Sequence, residues 1–217
     1  ALLGVSMTGI ASNKLKGLDL EEATSIAKGV NKTIAEKIGI NPAARITCVK
    51  PAGTTSCVLG TSSGIHAWHD NYYIRRLRVG KNEAIYSYLV KEYPELIEDD
   101  YFRPHDTAVI SLPQKAPEGS TTRNESAKDL LERVKWIAKK WVNTGHTAGM
   151  NTHNVSATIS IRNYEWVEVG EWMWNNRKFY NGLSVLPYDG GTYKQAPFET
   201  ITRSQYEQMI AGLRDIN

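Results

Sequence analysis

Cysteine is scarce in this sequence: Cys48 and Cys57 are the two in 217 residues. That is too few for a disulfide framework or a thiolate zinc site, and it makes a reducing cytoplasm the expected compartment. No apolar run approaches the roughly 20 residues that a membrane helix needs, so no membrane partner is expected. Charge of one sign is lacking too. Lys and Arg total 26 against 23 Asp and Glu, a net +3, and the basic residues are scattered except for Arg75, Arg76 and Arg78. Such a balance suits a small anionic ligand better than a nucleic-acid track, and no direct nucleic-acid contact is expected. His66, His69, His105, His146 and His153 include no i, i+4 pair and no adjacent Cys or Glu set, so no metal site is expected. The opening Ala1-Leu2-Leu3-Gly4-Val5 has neither a Met nor a basic stretch, so it is not expected to be a signal peptide. It reads as the interior of an element, and the chain is expected to be truncated at both ends.

What is present is ordinary globular material, 41% hydrophobic and 23% charged, enough for one sizeable core. Asp19 is placed to cap a helix over about 20–38, with Ala23, Ile26, Ala27, Val30, Ile34 and Ile38 at helical spacing and Gly39 as its stop. Residues 45–50 are short and β-branched and read as a strand. Residues 82–92 read as helical and 107–112 as a strand. The clearest amphipathic helix spans 125–143, with Leu130, Leu131, Val134, Ile137, Ala138 and Trp141 on its apolar face. A strand at 154–161, a Trp-rich helix capped by Asn163 over about 164–176, a strand at 183–187 and a last helix at 203–213 complete the reading. Strands alternating with helices predict parallel strands, at 45–50, 107–112, 154–161 and 183–187, in an α/β sheet or barrel.

The sharpest local feature is the strand exit Lys50-Pro51-Ala52-Gly53-Thr54-Thr55-Ser56. A proline fixes one turn and a glycine lets backbone approach a ligand closely. Three hydroxyl residues then open a short helix, whose first amides have no intrahelical partner and sit at the positive end of its dipole. Small side chains leave such a tip open to phosphate. The Gly-Lys-Ser/Thr order of a Walker loop is absent. A plain strand-to-helix turn with a Thr cap fits these residues as well.

Six blocks decide between these readings. Cys48-Val49-Lys50-Pro51-Ala52-Gly53-Thr54-Thr55-Ser56 is similar to the Lys-Pro-Ser-Gly-Thr segment of class II, adenosylcobalamin-dependent ribonucleotide reductases. Gly60 to His66 followed by Tyr72 to Arg78, Lys115 to Gly119, Asn154 to Thr158, Gly182 to Pro187 and Gly190 to Pro197 resemble the same family in order and spacing. The resemblance covers nearly the whole chain. It implies an α/β fold, part of a ten-stranded α/β barrel of the ribonucleotide reductase type, with residues 1–217 as a C-terminal segment of that catalytic domain. It implies reduction of ribonucleotides to deoxyribonucleotides for DNA synthesis by a thiyl radical. Adenosylcobalamin is the implied cofactor, a thioredoxin-type protein the reductant, and the remainder of the same polypeptide a partner. By the same resemblance Pro51, Ala52, Gly53, Thr54, Thr55 and Ser56 form the loop that holds the substrate phosphates. The family's Asn-Pro-Cys-Gly-Glu radical-loop motif is absent here, as are its redox cysteine pairs. No catalytic residue is therefore expected in this chain, and the segment alone is expected to be inactive. The alternatives are an α/β enzyme that binds a phosphorylated sugar without radical chemistry, and a noncatalytic module derived from the barrel. A Cys-bearing loop motif encoded upstream would separate the first reading from these two.

Other residues carry two readings each. Cys48 and Cys57 flank the loop and form either a redox pair or, as expected, two buried reduced thiols. His66 either lines the site or packs a turn. Arg75, Arg76 and Arg78 contact phosphates or the cofactor's rim, or make an ion-paired strand face. Trp166, Trp172 and Trp174 are expected to pack a helix onto the barrel.

Overall fold

The computed structural model describes residues 3–15, 17–190 and 193–213, so Gly191 and Thr192 of the 190–197 block lie outside the described residues. It resolves into two compact units, Ala1–Trp68 with Gly119–Tyr188, and His69–Glu118 with Asp189–Asn217.

The first unit is built on parallel strands. β1 (Val5–Ser6) pairs with β2 (Thr47–Cys48), and Val49 bridges in parallel to Val155. The 155 segment leads into β6 (Thr158–Ile161), which pairs in parallel with β7 (Ser184–Pro187). The connection from β1 to β2 is α1 (Leu20–Lys37), and Asp19 caps it as expected by accepting from the amides of Glu21 and Glu22, both at 3.0 Å. The apolar stripe read on α1 is corrected. Ile26, Val30, Ile34 and Ile38 are exposed, whereas Leu20, Thr24 and Ala35 are the buried positions. The small residues win the buried face because the neighbouring turn comes close there, with Thr144 Oγ1 3.1 Å from Thr24 Oγ1.

The expected amphipathic helix is α4 (Ala127–Ile137), whose final turn, Ala138–Val142, is wound as a π-helix. Ser126 and Asp129 form a capping box at its start. Leu131, Val134 and Ile137 are fully buried with Val49, Val155, Ile159 and Ile161 from the strands. Trp141 Nε1 donates to the Cys48 carbonyl at 3.0 Å, fixing the helix end to β2. Gly145 follows, packed so closely on β2 that a Cβ there would lie 1.7 Å from Thr47 Oγ1. The Trp-rich helix is α5 (Trp166–Asn175). Its N-cap is Glu165 rather than Asn163, and the buried Glu165 carboxylate accepts instead from the amides of Ala127 (3.1 Å) and Arg162 (2.8 Å). Of its tryptophans Trp172 is buried and Trp174 is exposed.

The second unit is an antiparallel sheet, β4-β5-β3-β8, made of β3 (Tyr72–Gly80), β4 (Ile97–Asp99), β5 (Thr107–Lys115) and β8 (Phe198–Thr200). This corrects the expected parallel strand at 107–112: β5 lies along β3, Tyr72 opposite Lys115 and Gly80 opposite Thr107. β3 carries the three arginines read either as ligand contacts or as a strand face. Arg76 is neutralised by Glu98 and Glu199 and Arg78 by Asp100, each on or beside another strand of the sheet. Arg75 lies over the Phe198 ring, 5.1 Å from its centre. These arginines are thus a paired and stacked strand face. Two helices, α3 (Ala84–Glu92) and α6 (Arg203–Ala211), belong to this unit. Val79, Tyr93, Leu96, Ala108 and Ile110 make its core.

Candidate functional site

The loop at 51–56 leaves the C-terminal end of β2, the end at which parallel α/β sheets bind ligands. Gly53 adopts φ +52° and ψ −128°, a left-handed conformation that favours glycine, and α2 (Thr54–Val58) begins directly after it. A Cβ at Gly53 would meet nothing within 4 Å, so the requirement there is for backbone conformation rather than space. The amides of Gly53 and Thr54 have no acceptor among the described residues. The Thr55 amide and the Ser56 hydroxyl are committed. Thr55 N donates to the Ala52 carbonyl at 3.1 Å, and the buried Ser56 turns its hydroxyl inward to the Gly53 carbonyl at 2.6 Å. The expectation that all amides from Gly53 to Ser56 and all three hydroxyls face a ligand is therefore narrowed to the Gly53 and Thr54 amides and the exposed Thr54 and Thr55 side chains.

A return segment, residues 61–66, props this loop from behind. Ala52 N donates to Ser63 Oγ at 2.9 Å. Gly64, at φ +56°, lies against the Lys50 backbone, where a Cβ would sit 2.7 Å from the Lys50 carbonyl oxygen. The segment is tied in turn to Thr8, Gly9 and Ile10 by the Ser62 and Gly64 backbone.

Beside Pro51 opens a hollow of about 550 Å³, lined by Pro51, His66, Asn154, Ser156, Thr158, Leu183 and Ser184 among others. Its polar wall comes from strand alternation. Val155, Ala157, Ile159 and Ile161 are buried against the helices, and Ser156, Thr158 and Ser160 face the other way. Lys50 Nζ donates to Ser156 Oγ at 2.6 Å and brings a cation to this wall. The hydroxyl row and Lys50 were missed from the sequence. The signal available was the alternation Ser156-Ala157-Thr158-Ile159-Ser160-Ile161, which gives the strand but not which face meets the loop.

His66 stands where this hollow meets a second one of about 130 Å³ lined by Arg123, Glu125, Ser126 and Ser160 among others. Its Nε2 lies 3.0 Å from the Thr158 amide, which can only donate, so Nε2 accepts and the proton rests on Nδ1, 3.3 Å from the Ser63 carbonyl. Burial pushes the imidazole below its ordinary value, the Ser63 carbonyl opposes this, and the Arg133 charge lowers it further. Arg133 pairs with Glu125 through two hydrogen bonds and also donates to the Ile65 carbonyl at 3.1 Å. Burial raises the Glu125 carboxyl in spite of that partner.

The cysteines divide. Cys48 is buried and free, its thiol pushed up by burial against the nearby Lys50 charge and Ser6. Cys57 is free but exposed, which corrects the expectation of burial: α2 has five residues and only Ser56 turns inward. Among the described residues no three His, Cys, Asp or Glu stand together as a metal-binding group, and no helix is long and apolar enough to cross a membrane.

No protein-family model matches the chain. Curated relatives do. The adenosylcobalamin-dependent ribonucleoside-triphosphate reductase of Euglena gracilis is 30% identical over 98% of this chain, and that of Lactobacillus acidophilus is 29% identical over 92%. A protein of Dictyostelium discoideum, described as a probable reductase of this kind, is 26% identical over 99%. The chain spans 29%, 26% and 28% of the lengths of these three relatives. The crystal structure of a B12-dependent, class II ribonucleotide reductase superimposes on 96% of this chain and 32% of its own, with a TM-score of 0.74 at 21% identity, and shares the fold. Over nearly its whole length, the chain is a relative of one segment of the adenosylcobalamin-dependent ribonucleotide reductases.

Proposed function

We propose that this chain contributes the substrate-phosphate loop, Pro51, Ala52, Gly53, Thr54, Thr55 and Ser56, to an enzyme that reduces ribonucleotides to deoxyribonucleotides. The observation that carries this reading is the free amide pair of Gly53 and Thr54 beside a hydroxyl-lined hollow, at the C-terminal end of a parallel strand. Anionic oxygens favour unsatisfied backbone amides and a nearby ammonium, and Lys50 supplies the latter. Ser156, Thr158 and Ser184 offer donors and acceptors suited to a ribose.

The radical and redox steps belong to residues outside this chain. Cys48 is buried with a raised thiol and Cys57 lies exposed on the five-residue helix α2, so neither has the surroundings of a poised radical or redox thiol. Adenosylcobalamin, by kinship with the relatives, would supply the radical-generating chemistry. Both nitrogens of His66 are already engaged, so this histidine is not placed to ligate a cobalt. The redox thiols that receive electrons from a dithiol reductant of the thioredoxin type are then residues beyond this chain.

The test is a reduction assay on the complete polypeptide that carries this segment, with ribonucleoside triphosphate, adenosylcobalamin and a dithiol. Deoxyribonucleotide is the expected product, and the 217-residue chain alone is expected to make none. Absence of product from the complete polypeptide with cofactor and dithiol present, while tripolyphosphate still binds, would favour a phosphate-binding protein without radical chemistry.

A further inference from the structure

We propose that His66 is a positioning residue: a neutral imidazole staple between Thr158 of β6 and Ser63 of the return segment, which sets the backbone of the phosphate loop without exchanging protons with the ligand. The claim rests on the phosphate-loop reading and goes beyond it by naming what holds the loop in shape. Four observations support it. Both ring nitrogens are used, Nε2 by the Thr158 amide at 3.0 Å and Nδ1 by the Ser63 carbonyl at 3.3 Å. The residue so held, Ser63, accepts from Ala52 N at 2.9 Å, inside the loop itself. The segment has no slack, because Gly64 packs on the Lys50 carbonyl at a distance that no Cβ tolerates. Arg133 braces the same segment through the Ile65 carbonyl.

A side chain with this wiring has one competent state. Protonation would set an N–H against the Thr158 N–H, and two donors cannot bond. The charged groups around the ring are Arg133, and Arg123 and Glu125 in the adjoining hollow. Glu125 is engaged by Arg133, and burial raises its carboxyl. The ordinary imidazole value is 6.5 and the folded value is lower, mainly through burial. The staple is therefore complete above 6.5 and is lost as pH falls below that value through the lowered one.

The experiment measures tripolyphosphate binding to the full chain by calorimetry at fixed ionic strength, from pH 8 down to about pH 5, a window centred on the ordinary histidine range. His66→Gln keeps an acceptor for the Thr158 amide but cannot ionise, whereas His66→Ala removes the staple. The Ala variant is expected to bind on the order of fivefold to tenfold more weakly at pH 8, the size of one lost hydrogen bond. The Gln variant is expected to keep most of the parental affinity at pH 8. It should then lose less affinity than the parent toward pH 5, since any titration of the anion is common to both. Parental affinity in the Ala variant overturns the proposal, and so does a Gln variant as weak as the Ala variant. Ser63→Ala leaves the His66 contacts in place and removes only the acceptor for Ala52, so it covers the case of an unfolded His66→Ala. Weakened binding is expected, and parental affinity there overturns the strut. Gly53→Val, run in the same series, separates the layers: binding unchanged in that variant removes the phosphate loop itself, whatever the His66 variants do.

Discussion

Gly53→Val is expected to weaken tripolyphosphate or ribonucleoside triphosphate binding by about tenfold, the cost of holding a β-branched residue in a left-handed conformation. The fold itself should survive. A Cβ at this position meets nothing within 4 Å and the loop around it is exposed. The variant acts by letting the backbone relax away from φ +52°, which turns the Gly53 and Thr54 amides off a common target. Thr54→Ala leaves those amides in place and should cost less than about threefold. Calorimetric titration of the two variants against the parent checks the ranking. A folded Gly53→Val protein with parental affinity would leave residues 51–56 as an ordinary strand-to-helix turn.

Gly145→Ala should have the largest effect on stability, about 3 kcal/mol or more. A Cβ here would meet Thr47 Oγ1 at 1.7 Å and Thr47 Cβ at 2.8 Å, inside a buried stretch of β2. Thr47 cannot swing away cheaply, because its hydroxyl is bonded to the Trp141 carbonyl. Relief requires moving the end of the α4 region off β2, and with it the Trp141–Cys48 hydrogen bond. Urea denaturation of parent and variant gives the difference directly. A change below about 1 kcal/mol would show that the turn after Val142 adapts more freely than this packing allows.

The contrast between these two glycines shows what could be read from the residue order. Gly53 was legible because its cause is local: a strand exit, a proline and a run of small hydroxyl residues. The bounds of α1 were legible for the same reason, with Asp19 and Gly39 beside them. Gly145 was not, since its constraint is Thr47, nearly a hundred positions earlier in the chain. The partners of the β3 arginines were hidden in the same way. Arg76 and Arg78 look solvated until Glu98, Asp100 and Glu199 are brought to them from other segments. The direction of β5 likewise depends on which strand it lies beside, and its own residues do not encode that. At the site, the loop could be picked out but its surroundings could not. Ser156 and Thr158 meet Pro51 through the parallel bridge between Val49 and Val155, and His66 reaches Thr158 across 92 positions. The inward turn of Ser56 is a matter of phase within a five-residue helix, too short for periodicity to reveal.

Backbone amide shifts of Gly53 and Thr54, followed by nuclear magnetic resonance during titration with a ribonucleoside triphosphate, test the phosphate role most directly. These two amides have no acceptor among the described residues, and amides that donate to a phosphate oxygen shift with its occupancy. The expected result is a saturable shift of both, with smaller changes at Ser156 and Thr158 across the hollow. Saturable binding that leaves Gly53 and Thr54 unmoved, with the changes centred elsewhere, would contradict the assignment.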